Sequence, residues 1–563
     1  MKRLRWYDYI SINLFWLGLN VRNTAVGSVF TPYLVALFVP VGRQNTALGV
    51  ISTAGLIIAM LVQPAAGLLS DRSTSRFGRR RPYIFIGSLF DLVFLAAIAL
   101  SGNYMMLLIA TLFIQFSANV SHGALQGLIP DLVPEEQRGR SSAVKAVLEL
   151  IPIVLVGFTI AQLVGKGHLG WAVFVTGAAL LLTMLLTMVL VKEEPLKEKP
   201  ATSFKIPMLR VLGMLAGIAL GAVAGLVGGG AVGGLAGLIA WPFAGKATAL
   251  AVAVGLGGVV AMAVAVVVGV WAGVAITLGR KNTTRHVPLL LRTLGIFSGI
   301  VVGAIVGLLT GGLIYWIIQW IIQITGVSVY WIIPIALLVV VIEIFIAVVV
   351  GIKVGRAAAL DRENVRELAP FTWWIVNRLL FLAAATSFQG FLPFFLMYAF
   401  KVDAEKAASM NGTLMTVIGL FIMLSAFAGG WVSDRFGKRR VVALSGLVSA
   451  VGACMVLGAI WVPNMAIIYA AGGVIGLGVG IFMTGNWALG TDLVPADEAG
   501  RYLGISNLAG AGAGMIGKGI GGPIADYLNG YLPGLGYFAI FASYAVLFIL
   551  SAVSLRWVRK ATR

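Results

Sequence analysis

Few side chains in this 563-residue chain can do chemistry, and they occur in two settings: packed at the ends of apolar runs, or alone in the middle of them. The first packed cluster is LSDRSTSRFGRRRP at Leu69–Pro82, and a near echo, VSDRFGKRR, lies at Val432–Arg440. A carboxylate beside guanidinium and ammonium groups makes charge-assisted hydrogen bonds. At a solvent-accessible helix end each contact is worth only about 1–2 kcal/mol, so it can form and break. Such charges also stop and orient membrane segments. The recurrence of Asp, Gly and a basic run in one order favours a latch, because orientation alone requires neither the Asp nor the Gly.

The lone charges pose a different question, since an ionisable group at mid-bilayer is a functional candidate. Arg22 sits halfway along the first apolar run, beside Asn20 and Asn23. Lys518 lies within GAGAGMIGKGIGG, where small neighbours leave room for a partner. Arg22 is expected to bind or couple the ligand, the alternative being a structural Arg at a helix break. Asp91 and Glu343 are each expected to be neutral by protonation, or paired where the core meets an inserted segment. Arg378 is expected to snorkel to the inner interface. Lys145 and Glu149, four apart, are expected to pair along a helix.

The elements that position these residues follow from composition. Hydrophobic residues make up 60% of the chain and charged ones 11%, against about a quarter charged in soluble domains. Runs long enough to cross a bilayer recur throughout. Spans are predicted at about 9–39, 46–69, 82–100, 104–130, 141–164, 169–191, 208–240, 247–278, 290–324, 330–352, 371–399, 408–432, 441–461, 465–490, 500–526 and 536–555. The fold class is all-α and polytopic, with about 16 transmembrane helices. With the N-terminus inside, Arg43, Lys166, Lys246, Lys401 and Lys406 fall outside and Arg22, Arg378 and Lys518 within spans; the other Lys and Arg are cytoplasmic. The net charge of +20 is therefore topological, which argues against nucleic acid and puts both termini in the cytoplasm of a cell (inner) membrane protein. One cysteine, Cys454, and scattered histidines supply no disulfide, metal site or cofactor site.

Two repeats organise the chain. LIPDLVPEEQRGRSSAV at Leu128–Val144 aligns with LGTDLVPADEAGRYLGI at Leu489–Ile505, matching Asp131 to Asp492 and Arg140 to Arg501. Asp71 matches Asp434 at nearly the same offset, so two halves are related by a parallel duplication. Between them, Arg210–Gly230 aligns with Arg292–Gly312, and Ala265–Gly273 with Ala347–Gly355, both 82 residues apart. The expected domains are a six-helix bundle at 1–195, an inserted tandem pair of two-helix hairpins at 196–368 and a second six-helix bundle at 369–563. Glycines at every fourth position of the insertion favour close helix packing, within it or in a homo-oligomer.

GLLSDRSTSRFGRRRPYIFIG resembles the loop between helices 2 and 3 of the major facilitator superfamily. The four extra residues before RFGRRRP are similar to the sucrose-transporter branch and its bacterial relatives. TPYLVALFVP at Thr31–Pro40, NRLLFLAAATSFQGFLPFFLMYAF at Asn377–Phe400 and NWALGTDLVPADEAGRYLGISN at Asn486–Asn507 resemble the same branch. The resemblance covers about 1–195 and 365–563. It implies alternating access, two bundles rocking about a central site. The latch set is then Asp71, Arg72, Arg76, Gly78, Arg79, Arg80, Asp131 and Arg140, with Asp434, Arg435, Gly437, Arg439, Asp492 and Arg501. Asp71 is expected to cap a helix near Gly500–Tyr502, the basic run to pair with Asp131, Glu135, Glu136 and anionic lipid, and Asp434 with its neighbours to act against Arg140–Ser142.

The departures from that branch bear on mechanism. Plant members have an acidic residue and an arginine in helix 4, where this chain has Gln115 and Gln126. Bacterial relatives have Asp before WAL, where this chain has Asn486. Amides can hydrogen-bond hydroxyls but cannot carry a proton, so coupling by the family route is in doubt; facilitated diffusion or coupling through Asp91 stays open. The candidate substrate or coupling residues are Arg22, Asn20, Asn23, Gln115, Asn119, Gln126, Gln389, Asn486, Trp487, Lys518 and Asp91. Trp16, Tyr33, Phe388, Phe391 and Trp487 could stack on sugar rings or simply pack. The expected function is secondary active or facilitative transport of a small polar solute, sugar-like on resemblance, with H+ or Na+ as candidate ions. A non-transporting assembly protein and an exporter of amphipathic compounds are the alternatives.

Overall fold

A computed structural model describes residues 4–193, 195, 369–493, 510, 513–530 and 532–558. The chain divides into two compact units, Met1–Pro200 with Ala369–Arg563, and Ala201–Leu368. The expectations for the four inserted spans, including Glu343 and the glycine stripes, lie outside the described residues.

Among the described residues the N-terminal half contains α1 (Trp6–Ala25), α2 (Thr31–Phe38), α3 (Gln44–Ser70), α4 (Arg81–Ala99), α5 (Tyr104–Leu125), α6 (Leu128–Leu132), α7 (Arg138–Leu155), α8 (Ala161–Gly165) and α9 (Leu169–Leu190). The C-terminal half contains α10 (Ala369–Phe400), α11 (Ala404–Phe436), α12 (Lys438–Gly458), α13 (Met465–Asp492), α14 (Gly521–Asn529) and α15 (Leu535–Ser554). Nine helical stretches in the described residues are long and apolar enough to cross a membrane. Among the described residues, three spans are interrupted by π turns. Val26–Phe30 joins α1 to α2, Val156–Ile160 joins α7 to α8, and Met515–Ile520 leads into α14.

Burial separates central from peripheral spans. The Trp373–Phe400 stretch is 83% buried, whereas Leu169–Leu190 is 28% buried and turns Leu182 and Val189 outward. Outward apolar side chains are what a bilayer-facing surface requires. In the first half, Ile12, Phe15, Trp16 and Leu19 of α1 pack with Ile84, Leu125, Leu180 and Met184. In the second, aromatic rings fill the core: Phe381 stacks on Phe482 at 3.6 Å, and Phe388 and Phe395 pack against Phe541. Phe388 and Phe391 are 1% and 0% exposed, so both are core residues and not stacking partners for a solute.

The halves meet along two seams that repeat one another. A Cβ placed on Gly412 of α11 would sit 2.6 Å from the Gly157 carbonyl oxygen, and one on Gly49 of α3 would sit 2.5 Å from that of Lys518. Gly49 and Gly412 share the offset that relates Asp71 to Asp434, and Gly157 and Lys518 the offset that relates Asp131 to Asp492. The duplicated sequence thus folds into duplicated interfaces, each with a π turn against a glycine.

Candidate functional site

Both charged loops turn on a glycine in the left-handed region, Gly78 at φ 105° and Gly437 at φ 89°, a conformation that a Cβ disfavours. In each loop the following basic residue pairs with the repeat-matched aspartate: Arg79 with Asp131, and Lys438 with Asp492 at 2.8 Å. Arg80, 5% exposed, reaches furthest. Its guanidinium donates to Asp131 at 2.9 Å and to the Ser70 hydroxyl at 2.6 Å and pairs with Asp71. Its backbone N–H donates to Glu193 at 2.8 Å, a carboxylate at the end of α9 that the repeat reading does not single out. Arg76 lies 4.8 Å from the Phe77 ring and Arg435 lies 5.5 Å from that of Trp431. Arg439 donates to the Arg556 carbonyl oxygen.

These contacts tie helices together within a half. Asp434 and Arg140 are both exposed, so the expected contact of Asp434 with the start of α7 is not made in this structure. The reason is geometric: the loop folds back on α13 and α15, leaving Asp434 on the solvent side. Arg72 follows Asp71 at the end of α3. Arg501 and the helix start that Asp71 is expected to cap lie outside the described residues.

The mid-span candidates fall into separate groups. Arg22 and Asp91 form an ion pair at 2.7 Å with both side chains 1% exposed, and Asp91 also accepts from Ser117 at 3.0 Å. Asn23 accepts from Arg22 at 2.7 Å, and Asn20 bonds back to the Trp16 carbonyl. Arg22 therefore joins α1 to α4, and Asp91 is paired within its own half. Asn119 bonds to the Gln115 carbonyl at 2.7 Å, and Gln115 packs against Gly55 of α3.

A polar wall runs along α1, α5 and α7. Gln126, exposed, lies 3.3 Å from His122; His122 meets Trp16 edge-on at 5.1 Å; and Lys145 stands 4.0 Å over the Trp16 ring. Lys145 pairs with Glu149 at 3.4 Å as expected, with both side chains about a third exposed. Composition leaves His122 unplaced; only its helix position, one turn before Gln126, links it to this wall.

The second half carries a polar cluster of its own. Asn486 is fully buried; it donates to Asn377 at 2.7 Å and accepts from Arg378 at 3.1 Å. Arg378 also lies 5.6 Å from the ring of Trp487, which is 42% exposed. Arg378 is thus anchored between α10 and α13, not stretched to an interface, because Asn486 and Trp487 together offer a better partner than headgroups. Further along, Lys518 lies across Gly390, where a Cβ would be 2.6 Å from its Cε, beside half-buried Gln389.

The ends away from the loops are clasped. Asp526 accepts from the Asn45 side chain and from the Thr46 backbone, each at 2.7 Å, so a carboxylate of one half caps α3 of the other. Tyr33 donates to Glu405 at 3.0 Å, Gln162 and Ser409 bond at 2.6 Å, and Asn411 donates to the Ser28 carbonyl.

The sequence profile described as Major Facilitator Superfamily matches residues 19–352, 211–518 and 379–563. The chain belongs to the major facilitator superfamily. It is a multi-pass membrane transporter and not an enzyme. This superfamily member is 38% identical over 80 residues to the general alpha-glucoside permease of Schizosaccharomyces pombe, covering 14% of each chain. It is 30% identical over 174 residues to sucrose transport protein SUC3 of Arabidopsis thaliana, covering 27% of this chain and 28% of that one. Over 147 residues it is 29% identical to the minor myo-inositol transporter IolF of Bacillus subtilis, covering 24% and 32%. It spans about a third or less of the length of these relatives. In structure it is similar to the peptide transporter POT in complex with sulfate, TM-score 0.57 at 14% identity over 97% of this chain and 94% of that one. The nucleoside transporter NupG gives 0.54 at 11% identity over 97% and 99%.

Proposed function

We propose that this transporter moves a sugar or glycoside across a cell (inner) membrane by alternating access, both termini lying in the cytoplasm. The observation that carries the reading is the set of partly exposed polar groups on the loop side, Gln126, Lys145 and Glu149 in the first half and Arg378 with Trp487 in the second, while the ends away from the loops are clasped across the halves. Amides hydrogen-bond hydroxyls, and a half-exposed tryptophan offers a ring face to a sugar. The partial likeness to sucrose and glucoside carriers supports the same class. The clasped ends and exposed loop-side wall correspond to a state open toward the cytoplasm.

Coupling by the family's helix 4 carboxylate is unsupported with Gln115 in that place, and Asp91 is sealed against Arg22. If H+ drives uptake, Glu149, Glu405 and Asp526 are the remaining carboxylates near the path; otherwise the solute gradient or Na+ does. The test is uptake by the full chain in proteoliposomes of labelled sucrose, maltose, glucose and inositol, with and without a pH or Na+ gradient. Saturable uptake of at least one of these, reduced by Trp487→Ala at unchanged protein level, is expected. No uptake of any of them under all gradients would overturn the reading.

A further inference from the structure

The two seams differ at one position. Where the first half offers Gly157 to the glycine of α11, the second offers Lys518 to the glycine of α3, and the backbone approach is nearly the same. Packing alone is served by glycine at that position, as the first seam demonstrates. The lysine therefore adds something that the interface does not need.

Charge compensation indicates what it adds. In the first half, Arg22 within α1 and Lys145 near the start of α7 are each matched by a carboxylate, Asp91 and Glu149. In the second half, Arg378 is held by the neutral Asn486 and by a tryptophan face. Lys518 has neither a carboxylate nor a hydrogen-bond acceptor among the described residues. Asp526, just over two turns on, is taken by Asn45 and Thr46. An ammonium without a carboxylate beside it is free to make charge-assisted hydrogen bonds to an anion brought to it. Groups suited to hydroxyls occur on the same elements: Gln389 precedes Gly390 on α10, and the Thr53 hydroxyl, against Gly519, is buried without a partner.

We propose that the solute carries an anionic group, a carboxylate or a phosphate, and that this group docks on Lys518 at the seam. The inference rests on the sugar reading above and makes the substrate an acidic sugar. The neutral part of the solute lies toward Gln389 and Thr53. Arg378, nearer the loop end of α10, supplies a first electrostatic contact on the way in, since 12 residues along a helix place it about 18 Å away.

The experiment compares uptake of glucose, glucuronate and glucose 6-phosphate by the full chain in proteoliposomes, for wild type and for Lys518→Gln, Lys518→Arg and Gly390→Ala. Gel filtration and thermal melts establish that each variant is folded. Wild type is expected to prefer one of the two anionic sugars to glucose by about tenfold or more, and the preferred one tells carboxylate from phosphate. Lys518→Gln should abolish that preference, and Lys518→Arg should keep it. Gly390→Ala, which crowds the ammonium, should weaken uptake of the anion selectively. Preference for glucose, unchanged by Lys518→Gln, overturns the inference and leaves the sugar reading standing. An equal loss of all three sugars in both lysine variants makes Lys518 structural and also overturns it. Uptake of succinate, lost in Lys518→Gln, with no uptake of any sugar, upholds the anion site and removes the sugar reading. Uptake of none of the four compounds overturns both.

Discussion

The Arg22–Asp91 pair illustrates how a mid-membrane charge can be structural. A buried pair stabilises little relative to well-packed apolar residues, but removing one member strands the other and costs about 3–5 kcal/mol. Arg22→Gln is therefore expected to lower the thermal midpoint of the purified protein sharply. Arg22→Met with Asp91→Leu should recover most of the loss and retain uptake. A double variant that is fully stable yet inactive would return Arg22 to the solute site. At the loops, two glycines separate strain from collision. Gly437→Ala meets open space and should cost only the left-handed strain, about 1–2 kcal/mol. Gly78→Ala bears the same strain and also brings a Cβ to 2.5 Å from a Glu193 oxygen, so its melt should fall further. Equal melts would show that the Glu193 contact does not restrain the loop.

Among elements, the seat of the clasps is what matters. Among the described residues, Asp526 caps α3 across the halves at the ends away from the loops; the helix start expected against Asp71 lies outside the described residues. Such a cap contributes about 0.5–2 kcal/mol. Asp526→Asn keeps one acceptor but loses the charge, and should shift the balance toward the state open at that end by roughly five- to thirty-fold for a loss of one to two kcal/mol. Labelling by an impermeant reagent of a cysteine introduced at Thr46, which meets Asp526 through its backbone, reads the shift directly. An unchanged labelling rate would mean that the cap is not part of the gate. The π turns at Val156–Ile160 and Met515–Ile520 occupy equivalent places in the two halves, and each abuts a glycine of the opposite half. A turn that leaves its helical register there supplies a site where the interface can part.

For the whole molecule, the two glycine seams set how closely the halves can approach. Gly412→Leu is expected to hold them apart, since even a Cβ meets the Gly157 oxygen at 2.6 Å. Uptake should then fall at least tenfold with normal membrane insertion, while Gly430→Leu, which faces open space on the same helix, should leave it intact. Comparable uptake by both variants would remove the seam from the transport cycle. That the seams repeat, down to the offset between their residues, explains why one sequence duplicated in parallel can form a two-bundle machine: each half brings the same surface to the other.

The chain's apolar runs, their approximate ends, its membership of a transporter fold and the doubled loop with its Gly turn were all legible in the sequence by itself. Hydropathy, turn chemistry and internal repetition are local or self-referential properties that need no knowledge of packing. Even the matching of Arg79 with Asp131 and of Lys438 with Asp492 echoes the repeat. Only the tertiary structure decided which charges face one another: Arg22 with Asp91, Arg378 with Asn486, Asp526 with the start of α3. Those pairings depend on how each helix is rotated about its axis and on which neighbour it meets, 480 residues away in the case of Thr46 and Asp526. Rotation is set by the packing of whole bundles, so a mid-span arginine and a mid-span lysine look alike in the sequence and prove opposite in the fold, one sealed by a carboxylate and the other without one among the described residues.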